Sequence, residues 1–214
     1  MKIESNLQAS EVTVALDIRH PFAHIALGPS LEFARELGIG INLLPRVVPP
    51  LHPPSVPTPG DDRGIRHRRH RAQMIAREIA AYAAAQDLVL QEPYRTDSPD
   101  PAHLAWLFVR AQSPEQFEPF LLEIFRRYWS LALDASDLEA VAKFLAEFGL
   151  DSAAFLEWAN REGTPALERI TADLDAAGAV AVPSYLACGQ AFHGRQHLPM
   201  IKWLLEGSTG PVPI

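Results

Sequence analysis

One cysteine is all the thiol that this 214-residue chain possesses. Cys188 alone excludes an internal disulfide framework, and it excludes any CxxC pair for redox exchange or zinc binding. Positive charge is scarce too. Nineteen Lys and Arg stand against 26 Asp and Glu, a formal net charge of −7, so nucleic acid is not the expected partner. No apolar run reaches the roughly 18 residues of a membrane-spanning helix. The opening MKIESNLQAS lacks the apolar stretch of a secretory signal. No membrane association and cytoplasmic residence are therefore expected. Core material, by contrast, is ample: 48% of residues are hydrophobic and 21% charged, the balance of an ordinary globular chain.

Residues 11–18, EVTVALDI, run apolar and β-branched up to the break at Arg19-His20-Pro21, and read as a buried strand. Pro21 suits the first position of a helix, where its missing N–H costs nothing, and His20 falls at or just before the cap. Phe22, Ile25, Ala26, Leu31, Phe33 and Leu37 give that helix its stripe, and Gly38 ends it. A second strand at 39–45 completes a parallel βαβ unit. Seven prolines in 45–59 then forbid helix and ladder alike, leaving an extended surface loop. It reads either as a polyproline ligand or as a loop capping a cleft, and the cap is expected.

RGIRHRRHR (63–71) opens a helix. It reads either as an anion or nucleic-acid patch or as a solvated face whose arginine stems pack on apolar surface. The solvated face is the plainer reading and leaves room for a small anionic ligand. From about 100 to 175 the pattern is helical, with Pro101, Pro114, Asp137 and Asp151 near starts and Gly149 and Gly163 near stops. Residues 177–192 read as a hairpin around Cys188-Gly189-Gln190, with Cys188 expected to be a buried, inert thiol. HLPMIKWLLEG forms a last short helix. His20 and His24 have the spacing of metal ligands on one helix face, yet nothing nearby completes a set, and no metal is expected.

Three segments in order carry a family likeness: LDIRHPFAHIALGPSLEFARELG (16–38), IFRRYWSLALDASDLEAVAKFLAEFGLD (124–151) and AGAVAVPSYLACGQAFHGRQHLPMIKWLL (177–205). Together they resemble the DsbA-like thioredoxin superfamily, in particular its branch of 2-hydroxychromene-2-carboxylate isomerases and kappa-class glutathione transferases. The resemblance implies an α/β fold, a thioredoxin-like mixed sheet with an all-helical insertion. Residues 11–62 and 164–207 would form the thioredoxin-like domain and 63–163 the insertion. It implies that Val182-Pro183 is the family's Val–cis-Pro step, whose backbone holds glutathione, and that relatives pair as homodimers.

Where the resemblance breaks is as informative. The redox branch starts its helix with CxxC and the isomerase branch with a serine before the proline. Here His20 takes that place and Ala23 the second cysteine's, so a dithiol mechanism is excluded. A neutral His20 could supply the serine's hydrogen bond to a thiolate, in which case it is the catalytic group; otherwise it merely caps the helix. At the other end, Gln196 stands where the family's aspartate meets the γ-glutamyl ammonium. It offers a neutral bond, about half as strong as a charge-assisted one. Gln196 and His197 are the expected ligand-binding residues there, and the basic run FHGRQH suits an anionic ligand. Two functions follow. One is a glutathione-dependent isomerase or transferase. The other is a non-catalytic, diverged thioredoxin-fold protein binding a peptide or small anionic ligand.

Overall fold

The computed structural model describes residues 3–213. Its centre is β1 (Val12–Leu16), buried at every position because both faces of the sheet are covered. The strand leads through a short turn into α1 (Pro21–Leu37), and β2 (Ile41–Pro45) returns parallel to β1. Local chemistry sets both ends of α1. Pro21 opens it, and Gly38, at φ 63°, closes it with its N–H on the carbonyls of Ala34 and Arg35.

Seven further helices and two strands follow. They are α2 (Arg63–Ala85), α3 (Asp100–Gln112), α4 (Pro114–Trp129), α5 (Leu138–Glu147), α6 (Ser152–Trp158), α7 (Thr164–Ala176), then β3 (Ser184–Ala187), β4 (Gln190–His193) and α8 (Leu198–Leu205). The sheet order is β2-β1-β3-β4, with β3 and β4 antiparallel. This is the expected thioredoxin-like mixed sheet with helices inserted between its halves. The predicted starts hold for physical reasons. Pro101 and Pro114 occupy first turns. The Asp137 carboxylate accepts from the N–H groups of Glu139 and Ala140, and that of Asp151 from Ala154. Each such cap contributes about 1 kcal/mol.

One continuous core joins the sheet to the inserted helices. Trp106 of α3 donates its indole N–H to the Leu43 carbonyl of β2 at 3.1 Å. Phe120, Phe125, Tyr128, Trp129, Phe144 and Phe155 pack behind it with almost no exposure. Aromatic rings of this size dominate the burial energy of a core.

Three expectations need correction. Gly163 does not stop a helix: residues 159–163 form one π-helical turn that runs into α7. A Cβ at Gly163 would lie 3.0 Å from a Leu104 methyl, so the glycine serves close packing against α3. Cys188 is exposed, not buried. It sits at φ 52° and Gly189 at φ 72°, the two left-handed positions of a two-residue hairpin turn, which holds the side chain outward. The prolines of 45–59 do not cap the cleft described below; none lines it. Six of the seven basic residues of 63–71 are exposed and Arg69 alone is buried, paired with Asp61, so the run is largely a solvated face.

Candidate functional site: a thiol-free cleft beside a cis-proline

The turn from β1 to α1 is tied down by a buried ion pair. Asp17 and Arg19 side chains are 1% and 8% exposed and meet at 3.4 Å. Asp17 also accepts from the backbone N–H of Arg19 at 2.9 Å and of Val48 at 3.0 Å. Arg19 donates to the Val48 carbonyl at 2.6 Å and the Asp97 carbonyl at 3.1 Å. From the insertion, His103 accepts the Ile18 N–H at 3.2 Å through Nε2. That bond requires a neutral ring, and burial lowers the His103 pKa to suit. One ion pair thus stitches together the turn, the start of the proline-rich loop and the segment before α3.

His20 follows directly. Its backbone has N-cap geometry, φ −93° and ψ 122°, but its side chain makes no cap bond. The ring lies 5.9 Å from that of Phe22, and Nδ1 is buried with no partner among the described residues. Burial pushes its pKa down to about 4, with Asp17 opposing and Arg19 assisting. The ring is neutral at physiological pH, as expected beside a helix N-terminus. One turn on, His24 is stacked 5.8 Å from both Phe125 and Trp129, and burial pushes it to about 4 as well.

Val182-Pro183 is cis and leads into β3. The Pro183 carbonyl accepts from Gly194 at 2.8 Å, while the Val182 backbone groups have no partner among the described residues. Beside this step opens a cleft of about 820 Å³. Phe22, Val182, Pro183, Leu198 and Pro199 supply apolar walls; Glu78, His193, Arg195 and Gln196 supply polar groups, with Tyr82 closing the side formed by α2. The Arg195 guanidinium lies 3.9 Å from the centre of the Tyr82 ring, a cation–π contact that orients the charge.

Of the residues singled out from sequence, the structure brings Val182, Pro183 and Gln196 together on the cleft. It does not bring His20 or His197 to its lining; Phe22 stands there in place of His20, and His197 packs 5.8 Å from Phe192. Gln196 is already engaged, donating to the His193 carbonyl at 3.0 Å and folding over Gly194. Arg195, His193, Glu78 and Tyr82 were not singled out. The basic run FHGRQH pointed toward Arg195; nothing local pointed to the α2 pair, which tertiary folding delivers.

No thiol reaches the cleft. Cys188 sits in the hairpin turn, one residue beyond the last ladder pair and four residues from Ser184, about 13 Å at the usual strand rise. The fold and the cleft therefore define a thioredoxin-fold protein whose site cannot exchange disulfides internally.

The chain belongs to the DSBA-like thioredoxin domain family, which it matches over residues 47–206. No curated protein matches it. Solved structures agree in fold. A 2-hydroxychromene-2-carboxylate isomerase is similar at 15% identity and a TM-score of 0.62, covering 92% of this chain and 93% of its own. The cytosolic disulfide reductase DsbM from Pseudomonas aeruginosa with GSH is similar at 19% identity and a TM-score of 0.58, covering 92% and 98%. Among the described residues no helix is long and apolar enough to cross a membrane.

Proposed function

We propose that this chain is a glutathione-binding member of the DsbA-like family that carries out no dithiol chemistry. The observation that carries the reading is the cleft itself: Val182, whose backbone has no partner among the described residues, lines it together with Pro183, Arg195 and apolar walls. An extended peptide backbone pairs with the former, and a carboxylate pairs with a guanidinium. Titration calorimetry with glutathione and S-methylglutathione tests it. Both should bind, because the site asks for backbone and carboxylate and needs no free thiol. Absence of heat with either compound refutes the reading.

A second reading, glutathione-dependent isomerase or transferase, draws on one observation. His20 stands at the start of α1 with a neutral ring whose buried Nδ1 has no partner among the described residues; to donate to a bound thiolate the ring would have to turn toward the cleft, whose lining it does not reach. The assay is turnover of a model electrophile by wild type, His20→Ala and His20→Ser. Equal inactivity of all three leaves binding without catalysis. Cytoplasmic residence, a homodimer, and the division into 11–62 with 164–207 against 63–163 belong to the same proposal; sedimentation and limited proteolysis check the last two.

A further inference from the structure

The start of β3 and the end of β4 hold a pair that neither functional reading uses. Ser184 and His193 are partners in the hairpin register. The Ser184 hydroxyl oxygen lies 2.6 Å from the Ala181 carbonyl and 2.8 Å from His193 Nδ1. A hydroxyl has one proton to give. A carbonyl can only accept, so at 2.6 Å the proton must lie toward Ala181; otherwise two oxygen lone pairs face each other. The Ser184 oxygen is then left to accept, and His193 must donate from Nδ1–H. In a neutral imidazole that leaves Nε2 bare. Nε2 has no partner among the described residues, and His193 lines the cleft.

We propose that His193 is the residue that discriminates among ligands in this cleft. Its Nε2 is a fixed hydrogen-bond acceptor for an N–H or O–H group of a short peptide-like acid whose carboxylate pairs with Arg195. The inference rests on the reading of the cleft as a glutathione-type site and names what one wall selects. Ser184, fully buried, acts only through His193 and is a positioning residue. Arg195 supports the assignment: it has no carboxylate partner among the described residues, and its stack on Tyr82 leaves the guanidinium edge for an anion. A ligand offering an acceptor in place of the donor would meet a lone pair with a lone pair.

Long-range 1H–15N spectra of the His193 ring, read without ligand, test the tautomer. Wild type should show Nδ1 protonated and Nε2 bare; Ser184→Ala should move the proton toward Nε2, with circular dichroism unchanged. Glutathione is the binding probe. His193→Phe should weaken it about two- to tenfold, the worth of one hydrogen bond. His193→Gln, whose amide reaches the Nε2 position, should recover part of that, and His193→Asn, which is too short, should not. An Nε2-protonated ring in wild type overturns the inference. So does equal affinity of His193→Phe and wild type, with the cleft's function still standing. If wild type binds no glutathione, the functional reading fails instead; an Nδ1–H ring then still supports the acceptor and an Nε2–H ring overturns it.

Discussion

Replacing Arg19 by methionine removes the charge that ties the β1–α1 turn to two distant segments while keeping much of the stem's volume. The Asp17 carboxylate, 1% exposed, would retain only the backbone N–H groups of Arg19 and Val48. The carbonyls of Val48 and Asp97 would lose their donor. A buried ion pair stripped of one partner typically loses about 3–5 kcal/mol, because the remaining charge stays desolvated. In a protein of this length that lowers Tm by on the order of 10 °C. The assay is urea unfolding, where the midpoint should fall with the slope unchanged. Asp17→Asn combined with Arg19→Met removes both charges and should cost less than the sum of the single changes. A loss below about 1 kcal/mol for Arg19→Met, or strict additivity, would refute the reasoning. Hydrogen exchange at the Ile18 and Arg19 amides localises the effect, since both bonds lie in the turn that presents His20.

Acid should unfold this protein by way of its buried histidines. His24 and His20 are held near 4 against an ordinary 6.5, so the folded state resists protons that the unfolded chain takes up. Stability is then full above about pH 6.5 and falls between 6.5 and 4, by on the order of 3 kcal/mol for His24. His24→Phe should flatten that slope in a pH series of denaturation curves, and an unchanged slope would count against it. His20→Ser should raise stability by about 1 kcal/mol, because serine caps a helix that His20 leaves uncapped; calorimetric melting checks the sign. Gly163→Ala should cost about 1–3 kcal/mol through its approach to Leu104, and Leu104→Ala in the same chain should relieve the clash, seen as non-additive midpoints.

Much of the fold was legible because its boundaries are local events. A proline in a first turn, an aspartate accepting two backbone N–H groups, or a glycine at positive φ acts within a few residues of its own position. Pro21, Asp137, Asp151 and Gly38 could therefore be assigned their places from sequence alone. Gly163 could not. A glycine that ends a helix and one that admits a neighbouring leucine are the same letter, and Leu104 lies 59 positions away. The usual burial of free thiols does not apply to Cys188, because Cys188-Gly189 forms a two-residue turn that leaves the side chain exposed.

The site follows the same division, with one instructive difference. Val182-Pro183 was found through resemblance, and Gln196 with it. The same resemblance points to His20, yet the direction of a side chain depends on its neighbours as well as its backbone, and Phe22 occupies the cleft wall. The place of His193 follows from hairpin register. A two-residue turn at Cys188-Gly189 pairs Ala187 with Gln190, and counting outward opposes Ser184 to His193. That register brings a hydroxyl and an imidazole together at the mouth of a cleft. The chain has no sulfur at positions 20 and 23, the two places where the redox branch it resembles would carry its cysteines. The cleft offers instead the His193 ring, placed opposite Ser184 by backbone register, and the Arg195 cation, held against the Tyr82 ring; under the proposed function these groups recognise a small acid rather than oxidise a partner.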